Sequence, residues 1–133
     1  MAGVYLDTSA LGHLVLDEPD ADVIGSALTR FEVVVSSRLL RTELHRLGLR
    51  TGVPSDEIAS WLTSLALVPV DEEILSAAES IGPASVATLD AIHLVTAIRL
   101  AASGHISSVM TFDVRLAEGA AQHQLEVIAP VGE

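Results

Sequence analysis

The sequence predicts an α/β fold: a doubly wound, three-layer sandwich with a mostly parallel central sheet of four or five strands flanked by helices. Short apolar, β-branched runs alternate with longer helical patterns along the whole chain, which implies a parallel sheet covered on both faces. Two of those runs, Gly3-Val4-Tyr5-Leu6 and Ser108-Val109-Met110-Thr111-Phe112, end at an aspartate, Asp7 and Asp113, and each leads into a helical pattern. Proline, glycine and capping residues punctuate the boundaries between the two kinds of segment.

The elements follow in order. The first strand covers residues 3–7, and a short helix runs from Ser9 to Leu16. Pro19, with Asp20 and Asp22 beside it, opens a second helix that reaches Arg30; proline and acids suit the free N–H groups and the dipole of a helix start. Glu32 to Ser36 reads as the second strand, and Ser37 caps a helix from Arg38 to Leu49. After the break Thr51-Gly52-Val53-Pro54, Ser55 caps a helix from Asp56 to Ala66. Leu67 to Val70 is the third strand, and Asp71 caps a helix that ends near Ile81-Gly82-Pro83. Thr88 caps the helix from Leu89 to Ala102, which Ser103-Gly104 closes. The fourth strand takes 108–112, a short helix 114–121, and the fifth strand 125–128.

The bulk numbers bound the class. At 133 residues the chain suits one domain, 1–133, with a real core. Half the residues are apolar, which excludes disorder. There are no cysteines, so disulfides and thiolate-zinc sites are excluded, in keeping with a reducing cytoplasm. Asp7 interrupts the first apolar run and no basic region precedes it, so neither a signal peptide nor a membrane span is expected. The net charge of −11 opposes non-specific binding to nucleic acid. All seven basic residues are Arg, with no Lys anywhere. Four aromatics, Tyr5, Phe31, Trp61 and Phe112, are too few for a base-stacking platform.

Four acids stand where chemistry is done. In a parallel sheet, ligands bind outside the carboxyl ends of the strands, so Asp7 and Asp113 project into one crevice. Asp90 sits near the start of an apolar helical stripe, with Leu94, Ala97 and Ala101 within roughly 40° of it on a wheel of about 100° per residue. Considered alone, it either meets the free N–H groups of its own first turn or belongs to a site. Glu43 lies at the edge of the stripe Leu40, Leu44, Leu47, and is either a surface partner of Arg46 or a site residue. Two charges about 4 Å apart repel by roughly 4 kcal/mol at an effective dielectric near 20, so four acids together require counter-charge. With no Lys available, divalent cations are the simplest source, and oxygen-only ligands favour Mg²⁺ or Mn²⁺.

The segments Val4-Tyr5-Leu6-Asp7-Thr8-Ser9-Ala10, Arg41-Thr42-Glu43-Leu44, Thr88-Leu89-Asp90-Ala91-Ile92-His93-Leu94 and Thr111-Phe112-Asp113 resemble, in order and spacing, the four motifs of PIN domains. The likeness is to the VapC toxins of type II toxin–antitoxin pairs, and it covers essentially the whole chain. It implies a PIN-like fold and a Mg²⁺- or Mn²⁺-dependent endoribonuclease, in which a metal-activated water hydrolyses the phosphodiester to a 5′-phosphate and a 3′-hydroxyl. By that resemblance Asp7, Glu43, Asp90 and Asp113 are the catalytic and metal-binding acids. Thr8, Ser9 and Thr111 either orient carboxylates and waters or simply cap and edge their elements. It also implies a homodimer and a cognate VapB-like antitoxin whose C-terminal segment covers the acids. Arg46 and Arg50 are the arginines nearest Glu43 and the candidate RNA contacts.

Of the five histidines, His93, three residues after Asp90 and within the segment that resembles the family motif, either reaches the site or packs, and packing is the expected role; His13, His45, His105 and His123 are expected on the surface. Two other classes compete. Aspartyl-phosphate proteins also place acids at strand ends, but they pair the phosphoryl group with a Lys that this chain lacks. A catalytically silent PIN-like module, acting only through its partner, remains as the alternative.

Overall fold

The computed structural model describes residues 2–130 and forms a five-stranded, all-parallel sheet with strand order β3-β2-β1-β4-β5. In chain order the elements are β1 (Gly3–Leu6), α1 (Thr8–Val15), α2 (Ala21–Leu28), β2 (Val34–Ser37), α3 (Arg38–Thr51), α4 (Ser55–Leu62), β3 (Ala66–Val68), α5 (Glu72–Ala78), α6 (Thr88–Ala102), β4 (Ile106–Met110), α7 (Val114–Gln122) and β5 (Glu126–Ile128).

Period-two alternation assigns the two faces of the sheet. Val4 and Leu6 point into a core built with α1, α2, α3 and α4 through Leu11, Ile24, Leu40, Leu44 and Ile58. Tyr5, between them, points the other way with Val35 and Val109, against Ala97 of α6. Further apolar clusters join α6 to α7 and to α5. Buried on both faces, β1 is apolar throughout, as a central parallel strand must be.

Several boundaries differ from the sequence reading, each for a local reason. Asp7 is not the last strand residue but the N-cap of α1, accepting from the Thr8 N–H. The fourth strand lies two residues earlier than expected, at Ile106–Met110: Asp113 caps α7 through the Leu116 N–H, and beyond Met110 a single bond from the Thr111 N–H to the Ile128 carbonyl continues the pairing. The second helix starts at Ala21 rather than Pro19, with Asp20 at its N-cap. Neither Ser55 nor Thr88 caps its helix; both are first helical residues, behind Pro54 and Ala87, and neither helix has a side-chain cap. Ser37 and Asp71 do cap α3 and α5. The fourth helix stops at Leu62, so β3 begins at Ala66. Gly52 ends α3 in the left-handed region at φ 81°, where a residue without Cβ is favoured.

The strand order reverses between β1 and β4: β1 continues to β2 on one side, while β4 lies on the other. That switch point is where a parallel sheet opens a crevice at its carboxyl edge. Asp7 follows β1 and Thr111 follows β4, both on that edge.

Candidate active site

Asp7 is the most constrained acid. It is 3 % exposed. Its Oδ1 accepts from the Thr8 N–H at 2.7 Å, and its Oδ2 accepts from both the Ser9 and Thr111 hydroxyls at 2.7 Å. Each hydroxyl also accepts a backbone N–H, Ser9 from Phe112 and Thr111 from Asp113. The two side chains therefore lace the end of β1 to the end of β4 across the switch point. Three hydrogen bonds fix the Asp7 carboxylate before any ligand arrives, and two more hold the hydroxyls that make them.

Glu43 enters from the second turn of α3. Its Oε1 accepts from Thr8 Oγ1 at 2.6 Å and from His93 Nε2 at 2.6 Å. Burial raises the Glu43 pKa, but the bonds from His93 and Thr8 outweigh it, and the carboxyl is held below its usual range. Among the described residues no ion pair joins Glu43 to Arg46; the partner is His93 instead.

Asp90 stands in the first turn of α6. Burial, then the negative charges of Asp113 and Asp7, push its carboxyl up to about 6. Among the described residues none of the arginines is ion-paired with any of the four acids; Arg99 pairs with Glu73 at 3.0 Å, away from them. Asp113 uses Oδ1 to cap α7 and is partly buried. The structure thus brings Asp7, Asp90 and Asp113 into mutual electrostatic range, with Glu43 joined to Asp7 through Thr8 and His93. His93 Nε2 lies 3.9 Å from Asp7 Oδ1.

His93 combines the two roles open to it, packing and reach to the site. It is fully buried, as a packing residue would be, yet it bonds to Glu43 on one side and to Tyr5 on the other. Burial lowers its pKa, but the Glu43 bond and the charges of Asp7, Glu43 and Asp90 raise it overall. A signal was present: Tyr5 sits in a central strand, and a buried phenol wants a partner for its O–H. His13 is partly exposed at the surface and has partners there. It stacks on Phe112 with ring centroids 4.6 Å apart and bonds to Asp20 at 2.9 Å.

A groove of about 690 Å³ runs from Glu43 between α1 and α3, lined by Thr8, Ser9, His13, Glu43, Arg46 and Arg50 among others; Asp7, Asp90 and Asp113 are not among its lining residues. Arg46 and Arg50 are exposed on its wall.

The donor set is oxygen from carboxylates and hydroxyls, the chemistry of hard divalent cations. Asp90 faces the charges of Asp113 and Asp7, and no arginine among the described residues is paired with any of the four acids, so this donor set fits such an ion chemically. As placed, no group of three or more His, Asp or Glu side chains among the described residues is arranged to hold one.

A family model for the PIN domain matches residues 4–122. Ribonuclease VapC46 of Mycobacterium tuberculosis (strain ATCC 25618 / H37Rv) is 37% identical over 131 residues, covering 98% of this chain and 99% of that protein. Ribonuclease VapC47 of Mycobacterium tuberculosis (strain CDC 1551 / Oshkosh) is 35% identical over 122 residues, 87% of this chain and 88% of that one. The crystal structure of Mycobacterium tuberculosis VapC20, described as a toxin that cleaves the sarcin–ricin loop, superposes with a TM-score of 0.66. It is 16% identical, over 86% of this chain and 93% of that chain, a likeness of fold. The chain belongs to the PIN-domain family, among the VapC ribonucleases. No helix of the described residues is long and apolar enough to cross a membrane.

Proposed function

We propose that this chain is the toxin of a type II toxin–antitoxin pair and hydrolyses RNA phosphodiester bonds with Mg²⁺, for which Mn²⁺ can substitute. The observation that carries this reading is the gathering of Asp7, Glu43, Asp90 and Asp113 at the switch point of a parallel sheet. Asp7, Asp90 and Asp113 would hold the ion, with Glu43 contributing from the α3 side. A divalent cation at such a site offsets phosphodiester charge and makes water acidic enough to attack near neutral pH.

The chain's own side chains do the rest. Ser9 and Thr111 keep Asp7 in one rotamer, so that its orientation costs nothing at the moment of reaction. Glu43 keeps Oε1 on Thr8 and His93, and its other oxygen orients the attacking water and takes its proton. Arg46 and Arg50 bind phosphates of the strand lying in the groove. In-line attack by water yields a 5′-phosphate and a 3′-hydroxyl and leaves the RNA 2′-hydroxyl out of the chemistry. The protein works in the cytoplasm as one domain and a homodimer, and a VapB-like antitoxin covers the acids.

The alternative, a catalytically silent PIN-like module, draws on one observation: the acids are not arranged to hold an ion as placed. Purified protein incubated with total cellular RNA in Mg²⁺, Mn²⁺ or EDTA separates the two. Discrete fragments that need metal and vanish in Asp7→Asn and Asp90→Asn establish the nuclease. Intact RNA from folded, antitoxin-free protein, together with undiminished toxicity of Asp90→Asn in cells, would establish the silent module.

A further inference from the structure

Behind Glu43 lie two buried side chains, Tyr5 and His93, that touch neither the RNA nor the water in the proposed chemistry. Tyr5 and His93 are both 0 % exposed. The Tyr5 phenol oxygen lies 2.6 Å from His93 Nδ1, and His93 Nε2 lies 2.6 Å from Glu43 Oε1. The hydrogens follow by elimination. Glu43 as a carboxylate only accepts, so Nε2 carries a hydrogen. With the ring neutral, Nδ1 is then the acceptor and the Tyr5 O–H donates to it. Were the ring charged, the Nε2–H bond to Glu43 would be the same.

Three elements meet here: Tyr5 comes from β1, His93 from α6 and Glu43 from α3. A Glu side chain has three torsions to settle, and the Glu43 side chain is 23 % exposed at the edge of an open groove. Thr8 and His93 grip the same oxygen and remove that freedom. A role in packing alone would ask only for apolar volume at position 93, whereas Tyr5, which also meets the Ser36 side chain and the Ser37 backbone, sets its phenol oxygen 2.6 Å from His93 Nδ1.

We propose that His93 is a positioning residue for RNA cleavage: braced by Tyr5, it fixes the Glu43 carboxylate in one orientation beside Asp7. The proposal rests on the reading of the acids as the nuclease site, and its test has one arm that does not.

That arm is proton NMR of the metal-free protein. The Nε2–H of His93 should give a slowly exchanging downfield imidazole resonance, which broadens in Tyr5→Phe and in Glu43→Gln. Kinetics supply the second arm, on variants whose circular dichroism matches the parent. Tyr5→Phe and His93→Leu should lower kcat by about 10–100-fold, the usual range for partners that orient a site, with KM nearly unchanged. His93→Gln, which keeps an N–H near the Nε2 position, should recover part of the loss. In a Glu43→Gln background, Tyr5→Phe should change kcat by less than about twofold, because the group it orients is gone. Full kcat in folded Tyr5→Phe and His93→Leu would overturn the proposal, as would losses that multiply with that of Glu43→Gln. If the parent cuts no RNA, the nuclease reading fails. The resonance then decides the brace: its absence from the parent protein overturns it.

Discussion

Asp90 stands partly buried in the first turn of α6, facing the charges of Asp113 and Asp7. Its carboxyl is pushed from an ordinary 3.8 up to about 6. Between those two values the folded state binds a proton that the unfolded state has lost, so metal-free stability falls as pH rises through this window. Asp90→Asn removes that penalty. In EDTA the variant should melt higher than the parent at pH 7, and the gap should close towards pH 4. A variant that melts lower at pH 7 would mean that Asp90 is held by partners, not opposed by them. The same substitution should abolish cleavage. Asp7→Asn should differ, because its carboxylate accepts three protein hydrogen bonds. An amide keeps one accepting oxygen but sets an NH₂ where the other accepted, against at least one of those donors, so a lower melting temperature is expected along with lost activity. The positions of the four acids, after strands or at the edges of apolar stripes, were readable in the sequence, and the structure sets Asp7, Asp90 and Asp113 within electrostatic range of one another. His93 was legible only as a choice between packing and the site, since a histidine beside apolar residues favours packing until the strand bearing Tyr5 is laid against α6.

At the scale of elements, β1 and β4 carry two opposed tests. A Cβ on Gly3 would meet Val33 Cγ1 at 2.6 Å and the His105 carbonyl oxygen at 2.7 Å. Backbone cannot yield as a side-chain tip can, so Gly3→Ala should cost about 1–3 kcal/mol, the usual range for overpacking. Ser108 pairs with Val4 in register, and its buried hydroxyl has no partner among the described residues. Ser108→Ala should therefore raise stability, by about 1 kcal/mol, since it deletes an unpaired polar group and leaves almost no cavity. Urea titrations of both variants check the pair, and a destabilised Ser108→Ala would point to a water on that hydroxyl. Element order and type were legible because apolar periodicity changes cleanly between strands and helices. The ends were less so. Asp7 and Asp113 could be read as last strand residues, while their side chains cap the following helices. Thr88 looked like a cap, but α6 starts one residue earlier and brings Asp90 into its uncapped first turn.

For the whole molecule, a net charge of −11 has to be reconciled with a polyanionic substrate. Long-range attraction does not favour encounter, so binding has to come from local contacts. Arg46 and Arg50 project into the groove that leads to Glu43, whereas Arg99 is taken up by Glu73 and Arg38 leans on Thr42. The molecule is then a weak binder of random RNA whose affinity depends on few phosphate contacts. Each such contact on a single strand adds about 0.7 to the slope of log K against log salt. Arg46→Ala with Arg50→Ala should flatten that slope by about 1.4, and it should raise KM with kcat nearly unchanged, because both side chains act on the strand and not on the scissile bond. The measurement is cleavage of one oligonucleotide at several salt concentrations, for parent and double variant. A steep slope that survives the substitutions would move the RNA path away from α3, while tight, salt-independent binding to random RNA would break the account of charge altogether.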